Sequence, residues 1–224
     1  MAPNIWVAEG SSVPFLGMSL GTRMTVVRLR DERLWIHSPV GLTRQLSKAI
    51  GALGRVGAVV APNKYHHLFL GDWIAAYPEA GFYAAPGLRQ KRRDIAFSDD
   101  LSDLAPNEWA EEIDQVVFRG SRAFDEVIFF HRQSRTAILT DLVVNVRLES
   151  QPLLGRIVGR LDGVAFPHGT TPRLFQMGMR SRREGRSAVE KILGWGPERA
   201  IISHGEWFRA TAEQELRQRF SWLL

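Results

Sequence analysis

Apolar and polar positions recur along the chain in patterns that predict a mixture of strands and helices. Residues 24–29 alternate roughly and are predicted to pair with residues 33–38 as a hairpin across a polar turn. Thr43 can cap a helix whose apolar positions follow helical spacing until Gly stops it. Residues 56–61 are rich in β-branched side chains and lie between Gly and Pro, which predicts a buried strand.

The rest of the chain continues this mixture. Residues 94–114 are acidic and irregular, which indicates a loop, while residues 126–131 and 136–141 predict a second hairpin. Further strands are predicted at residues 81–85, 115–119 and 199–203, and helices at residues 68–77, 151–161, 172–183, 187–194 and 206–219. Hairpins among helices favour an α/β (α+β) sandwich with mixed sheets over repeated parallel βαβ units.

Composition narrows the class of protein. The chain has 224 residues, of which 45% are hydrophobic, and we expect one domain over residues 1–224 with a core of its own. It has no basic start followed by a long apolar stretch, and no apolar segment approaches the ~18 residues of a membrane span, so we expect neither a secretory signal nor a membrane partner. With no cysteine, any metal must be bound by His, Asp or Glu, and a cytoplasmic location is expected.

The formal charge of +5 is concentrated in two arginine-rich clusters. One comprises Arg180, Arg182, Arg183 and Arg186, and the other lies at residues 89–93. Such clusters can hold phosphates or nucleic acid, but these contain few aromatic residues and match no nucleic-acid motif. We therefore interpret them as a solvated helix face, and the sequence argues against a nucleic-acid partner.

Polar residues with metal-binding side chains follow three of the predicted strands. His66 and His67 follow residues 56–61, Asp141 ends the second hairpin, and His204 follows the strand at 199–203. Loops beyond strand ends commonly carry sites, and His with Asp is a suitable ligand set for zinc or iron. Each residue alone also has a structural interpretation, as a cap, an ion-pair partner or a buried polar group. The threefold recurrence favours a metal site.

The order of these pieces resembles the metallo-β-lactamase-fold superfamily, and more narrowly a degenerate branch known mostly as a domain of unknown function. The segments that carry the resemblance span roughly residues 24–208 and read LWIHSPVG, VVAPNKYHHLFLGDW, GFYAAPGLRQKR, RTAILTDL and AIISHGEW. The resemblance implies an αββα sandwich of two related halves. It also implies a metal site at one edge, between the ends of the two sheets.

The superfamily's main motif, His-x-His-x-Asp-His after a strand, is incomplete in this chain. The first two histidines of the motif fall on Pro62 and Lys64, its Asp falls on His66, and its last His falls on His67. A further family histidine normally lies upstream of the strand with the bridging Asp, where this chain has Gly-Ser-Arg-Ala at residues 120–123. The three ligands of one of the family's two metals are therefore missing.

The ligands of the other metal have counterparts that can still bind a metal. The family's metal-bridging Asp matches Asp141, and its final His, which precedes a Gly, matches His204. Together with His66 and His67 these residues are the candidate metal ligands. The resemblance implies a reduced site that holds one divalent metal, either zinc or iron or manganese, or that is empty.

Lys64 and His66 are the candidate catalytic residues. Lys64 falls where a ligand of the lost metal would lie, and its charge could replace part of the missing positive charge beside Asp141. His66 could be a ligand or a proton shuttle. The alternative is a plain ion pair between Lys64 and Asp141 across an empty site, with His67 and His204 as hydrogen-bonding relics.

Three further residues are candidates for lining the pocket. His37 lies at a strand end, Arg122 falls near another lost ligand, and His168 lies in a loop of the C-terminal half. Neither a Gly-x-Ser-x-Gly motif nor a Gly-rich phosphate loop is present in the sequence, which argues against a serine hydrolase and a nucleotide-binding protein.

Three functions remain open from the sequence. The first is a metallo-β-lactamase-fold hydrolase that cleaves an ester, amide or phosphoester of an unidentified small molecule. The second is a non-catalytic binding or scaffold protein that keeps an ion-paired pocket. The third is a nucleic-acid-processing role through the arginine clusters. Neither the substrate nor the oligomeric state follows from the sequence.

Overall fold

The computed structural model describes residues 2–119, 121 and 124–224, which contain two β-sheets. The first sheet has six strands in chain order, namely β1 Ile5–Phe15, β2 Met18–Arg28, β3 Arg33–His37, β4 Arg55–Ala61, β5 Gly81–Ala84 and β6 Asp99–Asp100. β1, β2 and β3 pair antiparallel, which confirms the first hairpin, and β3 to β6 pair in parallel. The carboxyl ends of β3, β4 and β5 therefore meet at one edge of the sheet.

The second sheet has four strands in the order β10-β9-β8-β7. These are β7 Ile113–Phe118, β8 Glu126–His131, β9 Thr136–Ile138 and β10 Arg199–Ile201. β8 and β9 form the predicted hairpin, and β9 pairs in parallel with β10, so that the segments following these two strands leave the sheet at the same edge. A bridge between Asn63 and Glu126 joins this sheet to the loop after β4.

Seven α-helices flank the sheets in the described part of the chain. They are α1 Arg44–Leu53, α2 Leu70–Ala76, α3 Leu88–Lys91, α4 Leu153–Asp162, α5 Arg173–Met177, α6 Arg182–Gly194 and α7 Ala212–Arg219. The predicted cap of α1 is present, since the Thr43 side chain accepts a hydrogen bond from the Leu46 backbone N at 3.1 Å. Across residues 2–119, 121 and 124–224, every helix is too short or too polar to cross a bilayer.

Apolar layers hold the sheets and helices together. Between the sheets, Trp35 and Val60 of the first share one buried cluster with Val127 and Phe129 of the second, and the Trp35 and Phe129 ring centroids lie 4.9 Å apart. On the outer face of the first sheet, side chains of α1, α2 and α3 complete a second cluster. On the outer face of the second sheet, α5, α6 and α7 complete a third. The predicted αββα sandwich is therefore confirmed.

Some predicted boundaries are wrong for local reasons. β1 was not predicted, because its side chains alternate only weakly between buried and exposed and the strand pairs with β2 through a bulge between Gly10 and Val13. The predicted helices at 172–183 and 187–194 are in fact α5 and α6, since the Ser181 hydroxyl caps α6 by accepting from the Glu184 backbone N. The strand predicted at 136–141 ends at Ile138, so Asp141 lies in the loop beyond β9.

Two histidines are buried in this fold as neutral groups. His37 is 1% exposed between the sheets, and His131 is fully buried at the end of β8. Burial and the nearby charge of His66 hold the pKa of His37 well below its usual value, and burial lowers the pKa of His131. His37 has no hydrogen-bond partner for either ring nitrogen among the described residues, and Nε2 of His131 has none there either.

We expect the free energy of unfolding to fall as the pH drops below about 6.5, the usual pKa of His. Above that pH these groups are neutral in both states. Below it the unfolded chain takes up protons that the folded chain does not, so folding stability is lost progressively towards the lower folded pKa. In His131→Gln the slope should decrease by up to about 1.4 kcal/mol for each pH unit.

Urea denaturation of the wild type and His131→Gln between about pH 7.5 and pH 5.5 measures this slope. The matched control is His168→Gln, because His168 is exposed in a loop. Equal slopes in the wild type and His131→Gln would contradict a neutral, buried His131.

Candidate metal centre

Three side chains converge at the edge where the two sheets meet. His66 lies in the loop after β4, Asp141 in the loop after β9 and His204 in the loop after β10. His66 Nε2 is 3.3 Å from Asp141 Oδ2, His204 Nε2 is 3.1 Å from Asp141 Oδ1, and the two Nε2 atoms are 3.2 Å apart. Among the described residues, these three side chains form the group that is close enough together to hold one metal ion. Their candidate ligand atoms all lie within 4.8 Å of one another.

The far side of each imidazole ring is held by a hydrogen-bonding partner. His204 Nδ1 lies 2.7 Å from the Gly21 carbonyl oxygen, which can only accept, so Nδ1 carries the proton. His66 Nδ1 lies 2.5 Å from the Ser38 hydroxyl. Metal-binding histidines characteristically have their second nitrogen held in this way, which fixes the ring orientation and directs Nε2 to the metal. The donor set and its supports therefore fit a divalent metal such as zinc.

Asp141 is an ionised carboxylate in a buried position. It is 7% exposed, and burial alone would raise its pKa. The charge of His66 and the hydrogen bonds from His204 and His66 outweigh burial and hold the pKa of Asp141 well below its usual range. Asp141 is therefore ionised at neutral pH and can accept hydrogen bonds or bind a cation, but it cannot donate a proton.

Asn63 connects the loop that carries His66 to Asp141. Its side-chain Nδ2 donates to Asp141 Oδ2 at 2.8 Å and to Thr140 Oγ1 at 2.9 Å. Its Oδ1 accepts from the backbone N of Tyr65 at 2.8 Å and of His66 at 3.0 Å. One buried amide thus sets both the turn after β4 and the orientation of the carboxylate. This role of Asn63 was not predicted from the sequence, although an Asn directly after a strand and Pro is a recognisable turn signal.

Glu126 holds the backbone of the Asp141 loop. Its Oε1 accepts from the Thr140 backbone N at 2.7 Å, and its Oε2 accepts from the backbone N of Asp141 at 2.7 Å and of Leu142 at 3.0 Å. Burial and the charge of Asp141 raise the pKa of Glu126 to about 7. The role of Glu126 was not predicted from the sequence either. The available signal was a single acidic residue at the start of a strand that is mostly apolar.

His67 lies outside the group although it is adjacent to His66. Arg92 Nη1 lies 3.1 Å from His67 Nδ1 and donates to the His67 carbonyl oxygen at 3.1 Å. Burial, with the charges of Lys91 and Arg92, lowers the pKa of His67 to about 4. The ring is therefore neutral, and its Nδ1 is the acceptor for Arg92. The structure brings together three of the four predicted ligands and gives the fourth another partner.

The remaining candidates lie away from the group. The Lys64 ammonium lies beside Gly87, where an added Cβ would come within 2.7 Å of Nζ. The side chains next to the Asp141 carboxylate are His66 and His204 instead. His37 packs between the sheets rather than lining the pocket, with its ring stacked on Trp35 at 5.6 Å. His168 is exposed in its loop. Arg122 lies outside the described residues.

A cavity of about 330 Å³ opens beside the group. His66, Asp141 and His204 line one part of it, together with Ser38 and Thr22. Most of the other lining side chains are apolar, among them Val13, Phe15, Met18, Leu20, Val144, Val164 and Phe175. The candidate ligands thus face a space that a small molecule can occupy.

Comparison with known proteins agrees with this architecture. A family model described as a domain of unknown function (DUF4336) matches residues 3–165, which include His66 and Asp141. No curated protein sequence matches the chain.

Solved metallo-beta-lactamases share its fold. The enzyme from Hirschia baltica is 12% identical with a TM-score of 0.65, over 100% of this chain and 94% of that one. The one from Pontibacter korlensis is 10% identical with a TM-score of 0.64, over 100% and 96%. FIM-1 from Pseudomonas aeruginosa, in its mono-zinc form, is 11% identical with a TM-score of 0.64, over 99% and 92%. Identities this low show the fold alone.

We expect Glu126→Ala to destabilise the protein by about 3 kcal/mol or more, because three buried backbone N–H groups lose their acceptor. Urea denaturation measures the change. The matched control is Glu190→Ala, which removes an exposed ion pair with Arg186 on α6 and should cost less than about 1 kcal/mol. If both variants lose the same amount of stability, Glu126 does not support the loop as described.

Proposed function

We propose that this chain, which belongs to the DUF4336 family and has the metallo-β-lactamase fold, is a metal-dependent hydrolase with a single metal centre. His66, Asp141 and His204 would bind the metal. The observation that carries the proposal is the convergence of two Nε2 atoms on one ionised carboxylate, with both Nδ1 atoms held from behind.

One metal accounts for the residues better than two. The first two histidine positions of the superfamily motif are occupied by Pro62 and Lys64, and residues 2–119, 121 and 124–224 contain one group of three suitable ligands. The mono-zinc form of FIM-1 indicates that this fold can hold one zinc. Two neutral imidazoles and one carboxylate leave a net positive charge on a divalent ion, which favours an electrophilic centre.

The proposed reaction is hydrolysis of an ester, amide or phosphoester. The oxygen of water bonds to the carbonyl carbon or phosphorus, the bond to the leaving oxygen or nitrogen breaks, and a proton passes to the leaving group. A bound divalent metal would supply Lewis acidity and lower the pKa of water. The chain itself would orient the ligands through Ser38, Gly21 and Asn63, and its cavity offers mainly apolar walls to the rest of the substrate.

One feature of the site favours a second candidate function, a non-catalytic binding protein. Burial lowers the pKa of His204, but the hydrogen bond and charge of Asp141 and the Gly21 carbonyl outweigh it and raise that pKa overall. A protonated His204 paired with Asp141 would be stable without a metal. The ion-paired pocket would then involve His204 in place of Lys64.

Metal content separates these candidates. Protein purified without chelator or nickel resin should contain or take up close to one equivalent of zinc, iron or manganese, measured by elemental analysis and calorimetric titration. His66→Ala should lose at least about 100-fold in metal affinity, because a ligand is removed. The matched control is the adjacent His67→Ala, which should retain uptake because His67 interacts with Arg92.

Two results would remove the metal proposal. The first is less than about a tenth of an equivalent of metal with no uptake on titration, which would favour the ion-paired pocket. The second is equal loss of uptake in His66→Ala and His67→Ala, which would contradict the three-residue ligand set.

Asp141→Asn should lower hydrolysis by at least about 100-fold while the protein stays folded, because the anionic ligand becomes a neutral amide. Suitable probes are 4-nitrophenyl acetate, 4-nitroacetanilide and bis(4-nitrophenyl) phosphate, with circular dichroism to verify folding. His168→Ala, in an exposed loop, is the control and should retain full turnover. Turnover that survives in Asp141→Asn would place the chemistry elsewhere.

A further inference from the structure

We infer that the cavity beside the His–Asp group binds the apolar chain of a neutral acyl compound, with the carbonyl group at the His–Asp end. The hydrolysis of such a compound rests on the proposed function, whereas its binding does not. The inference follows from how polar and apolar groups are distributed over the cavity wall.

The cavity has distinct polar and apolar parts. The polar part carries His66, Asp141 and His204, with Ser38 Oγ at 2.5 Å from His66 Nδ1. The apolar part includes Met18, Leu20, Val144 and Val164, which belong to one buried hydrophobic cluster with its own partly buried neighbours. A molecule that fills this space must therefore combine a polar reacting group with an apolar chain.

Aromatic rings close another part of the wall. Phe15 packs edge-on against Tyr65 with ring centroids 6.0 Å apart, and Tyr65 stacks on Phe175 at 6.1 Å. Phe15 comes from β1 and Phe175 from α5, so elements far apart in sequence join over the cavity. These rings offer apolar surface to a ligand chain.

The charged side chains in the wall outside the His–Asp group already have partners. Lys91 Nζ donates to the Lys64 carbonyl oxygen at 2.7 Å, and Asp162 Oδ1 accepts from the Leu174 backbone N at 2.9 Å. These two side chains carry opposite charges, and most of the other lining side chains are apolar, so the wall offers no net charge to a ligand tail. The wall therefore favours a neutral, apolar tail over a phosphorylated or charged one.

The volume indicates a medium-length chain. At roughly 30 Å³ for each non-hydrogen atom, comparable to the share of a water molecule in the liquid, about 330 Å³ holds on the order of ten such atoms. An octanoyl group fits this number. In hydrolysis of an octanoyl ester, the water oxygen bonds to the acyl carbon, the ester C–O bond breaks, and octanoic acid and the alcohol are released.

Binding of ketones tests the cavity without any hydrolysis. Ketones carry the carbonyl group but no leaving group, so calorimetric titration of the wild type with 2-butanone, 2-hexanone and 2-octanone reports binding alone. Each buried methylene group should increase the affinity about fourfold, so each step of two methylenes in this series should increase it by about an order of magnitude. Affinity that does not depend on chain length overturns the inference.

A matched pair of variants locates the binding site. Val13→Glu places a carboxylate in the cavity wall and should abolish the chain-length dependence. Leu16→Glu adds the same charge at the exposed turn between β1 and β2, outside the cavity lining, and should bind the ketones as the wild type does. If Val13→Glu binds 2-octanone like the wild type, or if both variants lose binding equally, the cavity is not the site.

A hydrolysis series separates this inference from the proposed function. The metal-loaded protein is assayed with 4-nitrophenyl acetate, butyrate, hexanoate and octanoate, and kcat/KM should rise with chain length. Turnover without chain-length preference overturns the inference and leaves the hydrolase proposal standing. Chain-length-dependent ketone binding without turnover of these esters, of 4-nitroacetanilide or of bis(4-nitrophenyl) phosphate removes the hydrolase proposal and supports the apolar binding site.

Discussion

The carboxylate of Glu126 accepts three consecutive backbone N–H groups, and the shape of the whole site depends on this interaction. β9 ends at Ile138, so the segment that carries Asp141 has left the hydrogen-bonding ladder of the sheet. Its buried N–H groups need acceptors, because an unpaired buried donor costs about 1–3 kcal/mol. Glu126, at the start of the neighbouring β8, supplies them and so fixes where the Asp141 side chain points.

Asn63 extends this network from one sheet to the other. It donates to Asp141 and accepts from the turn that carries His66, so a side chain that follows the second sheet and one that follows the first share one amide. His204 completes the arrangement through Gly21 of β2, which is also in the first sheet. Each ligand is therefore positioned by contacts across the sandwich, and the site can exist only where both sheet edges meet.

Asp141 and Glu126 are two buried carboxyl groups close together, so binding of a positive charge is favoured at this edge of the sheets. Asp141 is ionised, and its charge contributes to raising the pKa of Glu126 to about 7. This negative charge can be compensated in two ways. Either His204 binds a proton and pairs with Asp141, or the two histidines and Asp141 bind a metal ion together. The two candidate functions thus differ in which cation, a proton or a metal ion, compensates the negative charge of the same site.

The layered architecture and most strands could be predicted from the sequence, because hairpin turns, β-branched runs and helix caps are local signals. The sequence also indicated the three side chains of the His–Asp group, since they follow strand ends. It could not separate His66 from His67, because adjacent residues in a tight turn point in different directions and the choice is made by Asn63 and Arg92. Arg92 lies 25 residues away from His67, and no local pattern reports such a contact.

The cavity wall was beyond prediction for a related reason. β1 alternates too weakly to be recognised as a strand, yet Val13 and Phe15 at its end line the cavity. The ligand-bearing loops are fixed by the strand cores, whereas this part of the wall comes from an edge hairpin held to β2 through a bulge. This part of the cavity wall and the His–Asp group therefore come from separate parts of the fold.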